Sequence, residues 1–164
     1  LLGANRFNLY SSQKIILAKI ALRTEAFLDY GGAFASINTN CLHSIDGRVN
    51  PNYLLAWINS RLFQYTFECF FEGLKMQGGY LLYSAPNLSC MFVKVVDKAT
   101  QESIANKVEL IVKGLENGKS TSDLEQEIDI FFYRLYSLSF EEVKMVDREF
   151  PLSEKEFRKL ELTF

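Results

Sequence analysis

The sequence predicts an α+β fold: a mixed-strand region over residues 1–98, then an antiparallel helical hairpin and short C-terminal helices over residues 99–164. Three observations predict it. Short apolar, β-branched runs broken by glycine, proline and asparagine fill the first hundred residues. Apolar residues stepping 4, 3, 4 follow Asp97. The 164 residues are 48% hydrophobic and include 14 Phe, 8 Tyr and 1 Trp, enough for one sizeable core and incompatible with a disordered chain.

Lys14–Ala18 (KIILA) predicts a strand. Glu25–Tyr30 (EAFLDY) predicts a second, closed by Gly31-Gly32, and Asn40–Ile45 (NCLHSI) alternates well enough for a third. Asp46-Gly47 and Asn50-Pro51 then mark a loop. Pro51–Phe71 predicts one helix. Asn50 can cap it, and Pro51 suits the first helical position, where no amide donor is needed. Leu54, Leu55, Ile58, Leu62 and Phe63 recur at helical spacing. Trp57, Phe67, Phe70 and Phe71 widen the stripe, so burial on most sides is expected, with Gly73 as the end. In Lys75–Val96, Gly78-Gly79 is a backbone hinge and Ala85-Pro86-Asn87 a turn, and Tyr80–Tyr83 and Cys90–Val96 read as strands or extended segments.

Thr100 can cap a helix running to about Glu116, with Ile104, Val108, Ile111 and Leu115 along one seam. Glu116–Ser120 breaks it. Ser122 and Glu125 form a capping-box pattern before a helix carrying Leu124, Ile128, Phe131 and Leu135. Two seamed helices joined by a short polar loop should form an antiparallel hairpin. Two heptads per seam are too few for a free-standing coiled coil, so the hairpin must lean on something. Capping boxes recur at Ser139–Glu142 and Ser153–Glu156, opening two further short helices.

The net charge of −2 hides a split. Residues 1–100 carry 9 cationic and 6 acidic side chains, whereas residues 101–164 carry 9 and 14. No stretch is apolar enough to span a membrane, and a cytoplasmic setting is expected. The opening LLGANRF has no initiator Met and no leader pattern, so the chain is expected to be a fragment of a longer one. Cys41, Cys69 and Cys90 lack CxxC spacing and are expected to be small buried residues in a reducing compartment, without zinc or disulfides. His43 has no acidic or cysteine ligand set beside it, and no catalytic triad can be assembled around one histidine. The acidic positions Glu125, Glu127, Asp129, Glu141 and Glu142 sit at helix starts, where a solvated, cap-supporting role suits most of them.

Asn50-Pro51-Asn52-Tyr53 is similar to the Asn-Pro-Pro-Tyr loop of adenine N6-methyltransferases, but its third residue differs and it opens a helix, so it reads as a cap. Gln77-Gly78-Gly79-Tyr80 lacks phosphate-loop spacing and reads as a turn that lets backbone approach a ligand. Basic residues Lys14, Lys19, Arg23, Arg48, Arg61, Lys75 and Lys94 lie in the first hundred residues. Gln77, Tyr80, Tyr83 and Asn87 are interleaved after Lys75, and such groups suit phosphates and base edges.

Several stretches together resemble one family. Asp123–Val146 is similar to the C-terminal signature of bifunctional restriction–modification enzymes and related adenine methyltransferases. It carries Ile128-Asp129, Tyr133-Arg134-Leu135-Tyr136, Leu138 and Glu141-Glu142-Val143. Tyr53–Ser60 resembles the family's Leu-rich helix ending in Asn-Ser. Lys75–Ser84 (KMQGGYLLYS) resembles its Lys-x-x-Gly-Gly-Tyr loop, and Lys14-Ile15-Ile16 its opening strand. The family is the TaqI-like C-terminal specificity, or target recognition, domain, and the resemblance covers roughly residues 10–147. Cys90-Met91-Phe92 departs from a common Leu-Pro-Ile segment, which leaves the strand geometry before Thr100 open.

The resemblance implies a double-stranded DNA recognition module, not an enzyme by itself. It would serve methyltransferase and nuclease domains of the same polypeptide, with S-adenosylmethionine and Mg belonging to those domains and no cofactor in this one. Residue type and the family loop together put Arg23, Lys75, Gln77, Tyr80, Tyr83 and Asn87 on the DNA face, with core packing as the competing account of Tyr80 and Tyr83, and with Lys14 and Lys19 as phosphate contacts at best. The hairpin would be the docking spacer. The competing expectation is a helical protein-interaction module without DNA contact, recruiting a partner through the acidic C-terminal half.

Overall fold

In the computed structural model, residues 8–43 and 47–160 are described. The strands are β1 (Lys14–Ala18), β2 (Ile20–Ala21), β3 (Ala26–Asp29), β4 (Thr39–Leu42) and β5 (Leu81–Leu82). The helices are α1 (Pro51–Asn59), α2 (Arg61–Phe71), α3 (Ala85–Ser89), α4 (Lys98–Glu116), α5 (Ser122–Leu135), α6 (Phe140–Val146) and α7 (Glu154–Lys159). The protein is therefore α+β. Ser44, Ile45 and Asp46, which belong to the predicted third strand and turn, lie outside the described residues, as does the LLGANRF opening.

β1 is the centre of a three-stranded antiparallel sheet in the order β3-β1-β4. Ile15 and Leu17 drive their side chains into the core, and Ile16 is buried as well. Lys14 is buried too. Its ammonium meets Asp29 Oδ2 at 2.5 Å and donates to the Tyr10 carbonyl at 2.7 Å, so the charge is compensated locally. Asp29 also accepts the Ala33 and Phe34 amides at 3.1 and 2.9 Å, which organises the Gly31-Gly32 turn. Gly32 needs its φ of +66°, and a Cβ there would collide with the Ser11 backbone.

The predicted single helix 51–71 is two. Asn50 and Pro51 open α1 as expected, the Asn50 side chain accepting the Asn52 amide. At Ser60 the backbone turns extended (φ −71°, ψ 151°). The Ser60 hydroxyl donates to the Trp57 carbonyl at 2.7 Å and accepts the Phe63 amide at 3.1 Å, so one serine ends α1 and starts α2. The Arg61 amide, freed by the break, donates to Asp129 Oδ1 on α5 at 2.8 Å. α2 ends at Phe71, and Gly73 lies within the 3-10 turn Glu72–Leu74 that follows it.

Other expectations are corrected. Ala85-Pro86-Asn87 begins a short helix, capped by Ser84, because proline is tolerated in a first turn. Cys90–Val96 forms no strand. The Lys94 amide donates to the Tyr136 hydroxyl at 2.8 Å and its carbonyl accepts the Tyr53 hydroxyl at 2.7 Å, so its backbone groups go to tyrosines. Asp97, not Thr100, caps α4, its carboxylate accepting the Thr100 amide at 3.0 Å and the Thr100 hydroxyl at 2.7 Å. The N-cap of α5 is Thr121, with Ser122 already helical; Thr121 donates its hydroxyl to Glu125 instead of capping an amide. The boxes at Ser139–Glu142 and Ser153–Glu156 form in full. Cys41 is half-buried, whereas Cys69 and Cys90 are exposed, against the expectation of burial. Asp129 is also an exception: it is buried, not a solvated cap residue.

The apolar core runs without interruption from Ile15 and Leu17 through Tyr53, Trp57, Phe67, Ile104, Val108 and Phe132 to Phe157. Trp57 on α1 stacks on Tyr136 (centroids 4.9 Å, planes 21° apart) and meets Phe132 at 5.0 Å, which fixes α1 against α5. Gln101 on α4 is buried and fully used. Its amide donates to the Arg48 and Val96 carbonyls and accepts the Asn50 amide, joining α4 to the entry of α1. Along α4, Ile104 and Val108 are buried, but Leu110 and Leu115 are exposed. α4 and α5 are linked by the Lys107–Glu127 ion pair and by the approach of Thr121 to Gly114.

Candidate functional site: the β2–β5 ribbon

A second, two-stranded sheet pairs β2 with β5, Ile20 opposite Leu82 and Ala21 opposite Leu81. β2 follows β1 after one residue, Lys19, whose carbonyl accepts the Tyr83 amide at 2.8 Å. The pairing has a direct consequence. It brings Leu22 beside Gly79, more than fifty positions later. Leu22 Cδ2 lies 3.8 Å from where a Gly79 Cβ would be.

Met76–Gly79 is a four-residue turn, closed by the Gly79 amide on the Met76 carbonyl at 3.0 Å. Its third residue, Gly78, has φ +85°, the type II signature and the reason glycine stands there. The Met76 amide donates to the Tyr80 carbonyl at 2.7 Å, which ties the turn to the start of β5. Gln77 is the exposed corner residue.

Gln64 on α2 anchors this end of the ribbon. Its Oε1 accepts the Thr24 amide and the Tyr83 hydroxyl, each at 2.8 Å. Its Nε2 donates to Glu68 at 2.5 Å, and Glu68 accepts the Lys75 ammonium at 3.0 Å. The segment after β2, the residue before the turn and the residue after β5 are thus all tied to one face of α2.

The six expected DNA-face residues divide. Arg23, Lys75, Gln77 and Tyr80 are exposed; Arg23 follows β2 by two residues, and Lys75, Gln77 and Tyr80 precede β5, the strand β2 pairs with. Tyr83 is a correction: it is fully buried, packs on Phe67 at 4.5 Å, and burial pushes its hydroxyl up to about 12. It offers no surface to a ligand. Asn87 is half-buried and structural, its amide donating to the Leu82 carbonyl at 3.0 Å. Lys14 is also removed from the phosphate-contact set by burial, and Lys19 donates its ammonium to the Ile37 carbonyl at 2.6 Å.

The electrostatics are balanced. Arg23 pairs with Glu25 at 3.1 Å, both mostly solvated. Lys75 pairs with Glu68, whose hydrogen bond and charge hold the ammonium above its ordinary pKa. Around these polar groups lie exposed Ile20, Leu22, Leu74, Met76, Tyr80 and Leu82. The site offers a free amide, a phenol and two exchangeable cations on an apolar ridge, a set suited to binding. Gln64 and Glu68 were missed by sequence reasoning, although their i, i+4 spacing on one helix face was a usable signal.

Among the described residues, no group of three or more His, Cys, Asp or Glu is placed to hold a metal ion. No described helix is long and apolar enough to cross a membrane. A scan against protein-family models finds no match to this chain, and neither does a search of curated proteins.

Proposed function

We propose that the chain is a sequence-recognition module for double-stranded DNA, of the TaqI-like specificity type, serving adenine methyltransferase and nuclease domains of the same polypeptide in a cytoplasmic setting. S-adenosylmethionine and Mg would belong to those domains. One observation supports the reading: the β2–β5 pairing joins the strand just before exposed Arg23 to the strand just after exposed Lys75, Gln77 and Tyr80, residues of the types that contact phosphates and base edges. Gln77 at the corner of the turn is the candidate base reader. Arg23 and Lys75 would exchange their carboxylate partners for phosphates, which makes the electrostatic contribution small. In this reading residues 1–98 carry recognition and residues 99–164 dock, with α4 and α5 as an antiparallel hairpin spacer.

The test is salt-dependent retention on duplex DNA, because phosphate contacts release counterions and weaken as salt rises. Lys75→Ala with Gln77→Ala should reduce affinity, and loss of a base contact should cost about 1–3 kcal/mol in discrimination. Salt-independent or absent retention, or a double variant with unchanged affinity and preference, would sink the assignment. The exposed apolar ridge and the paired cations favour a second reading, a protein-interaction module without DNA contact.

A further inference from the structure

The cluster that holds the α1–α2 break is separate from the ribbon. Asp129 is 8% exposed. Its Oδ1 accepts the Arg61 amide at 2.8 Å, and its Oδ2 meets Arg61 Nε at 3.3 Å. Arg61 Nη1 reaches Asp147 Oδ1 at 3.2 Å. The first residue of α2 is therefore gripped by α5 and by the residue that ends α6. The ionisable groups facing Asp129 are Arg61 from α2, Asp147 from the end of α6, and Glu125 and Tyr133 from α5 itself.

Two features of this cluster are unbalanced. One guanidinium serves two carboxylates, and the Arg61 side chain is 58% exposed, so water screens its charge while Asp129 is shielded from water. Tyr133 stands one turn beyond Asp129 on the same helix face. It is fully buried, and its hydroxyl has no hydrogen-bond partner, the sole such buried side-chain atom among the described residues.

We propose that in mildly acidic solution Asp129 carries a proton in the folded chain, directed toward the Tyr133 hydroxyl, and that this proton latches α5 and the end of α6 onto α2. The proton comes from solvent. A neutral Asp129 still accepts the Arg61 amide at Oδ1, and its O–H gives the Tyr133 oxygen the partner it lacks.

The electrostatics agree. Burial pushes the Asp129 carboxyl from 3.8 up to about 6, the Arg61 amide and guanidinium oppose, and Asp147 and Glu125 add to the rise. In a locally opened state the carboxyl returns to water and to its ordinary value. The closed state thus binds the proton more tightly, so opening becomes easier as pH rises from about 4 to 6 and levels off above. A difference of about two pH units corresponds to a change on the order of 10²-fold in the opening constant.

Carboxyl ¹³C NMR of the intact chain tests the first half of this proposal. Asp129 should titrate near 6, and Tyr133→Phe should move that midpoint down by removing the acceptor for the neutral acid. Hydrogen exchange at the Arg61 amide and in α6, corrected for intrinsic rates, tests the second half. Its opening constant should rise about 30-fold from pH 4 to pH 6, and Asp129→Asn, which keeps the acceptor, should flatten the profile. A midpoint near 4, a midpoint unmoved by Tyr133→Phe, or a pH-dependence retained by Asp129→Asn overturns the latch. The carboxyl titration and Tyr133→Phe decide the matter even where Asp129→Asn does not fold. None of these readouts depends on what the ribbon binds.

Discussion

Gln64→Leu tests whether one amide holds the ribbon in place. Leucine has nearly the same volume, so the change removes hydrogen bonds with little change in packing. Two donors lose a shared acceptor: the Thr24 amide and the Tyr83 hydroxyl, each now at 2.8 Å. Tyr83 is fully buried and Thr24 is 6% exposed, so both donors are shielded from water in the parent structure. A buried donor left unpaired costs about 1–3 kcal/mol, and the pair sums to about 2–6 kcal/mol. The lower half of that range is expected, because the Thr24 amide lies at a ribbon end that can shift toward solvent. Urea denaturation gives the total. A double-mutant cycle with Tyr83→Phe isolates the tyrosine's share, expected at about 1 kcal/mol or more. Gln64→Glu should be intermediate: it keeps an acceptor for both donors but replaces the Nε2 donor to Glu68 with a second carboxylate. A Gln64→Leu variant within about 0.5 kcal/mol of the parent, or a cycle with no coupling, would refute the view that α2 fixes the ribbon through this side chain.

The remaining predictions concern the scaffold. Lys14, chiefly through its hydrogen bond and assisted by the Phe34 amide, holds the Asp29 carboxyl down at about 2. The stabilisation it provides is therefore complete above about pH 4 and lost as pH falls toward 2, and urea midpoints measured from pH 5 to 2 should decline more in the parent than in Asp29→Asn. Ser60→Ala removes a buried cap and should cost about 0.5–2 kcal/mol by thermal or urea unfolding. Gly114→Ala would gain about 1 kcal/mol of helix propensity in isolation. Its Cβ, however, would lie 2.7 Å from Thr121 Cγ2, so net destabilisation is expected, relieved by adding Thr121→Ser, which removes that methyl and keeps the hydroxyl for Glu125.

What could be read from the sequence was what neighbouring residues decide. Asn50-Pro51 and the capping boxes at Ser139 and Ser153 act over three residues and form as written, whereas the box read at Ser122 does not. β1 was legible because its apolar run is dense enough to need no partner to identify it. Ser60 was not legible as a break, because the Arg61 amide released there is accepted by Asp129, 68 positions away. Cys90–Val96 looked like a strand by composition, but Tyr53 and Tyr136 take the Lys94 backbone groups a strand would need. For the site, residue type selected Lys75, Gln77 and Tyr80 correctly as surface groups. It could not tell Tyr80 from Tyr83, since both are tyrosines flanking two leucines, and only the position of Gln64 sends one inward.

The single residue between β1 and β2 sets a limit on how this chain can vary in length. Residues 14–21 serve two sheets in succession, with Lys19 as the joint. Side chains alternate across a strand, so adding or deleting one residue at 18–20 would turn either Ile15 and Leu17 out of the core or the ribbon face inward. The loop between β3 and β4, with exposed Phe34 and Ile37, carries no such parity constraint beyond Asn38, which bonds the Lys19 amide. Length variation in this protein should therefore be absent at 18–20 and find room between Phe34, whose amide Asp29 holds, and Ile37, whose carbonyl Lys19 holds, whatever the ribbon recognises.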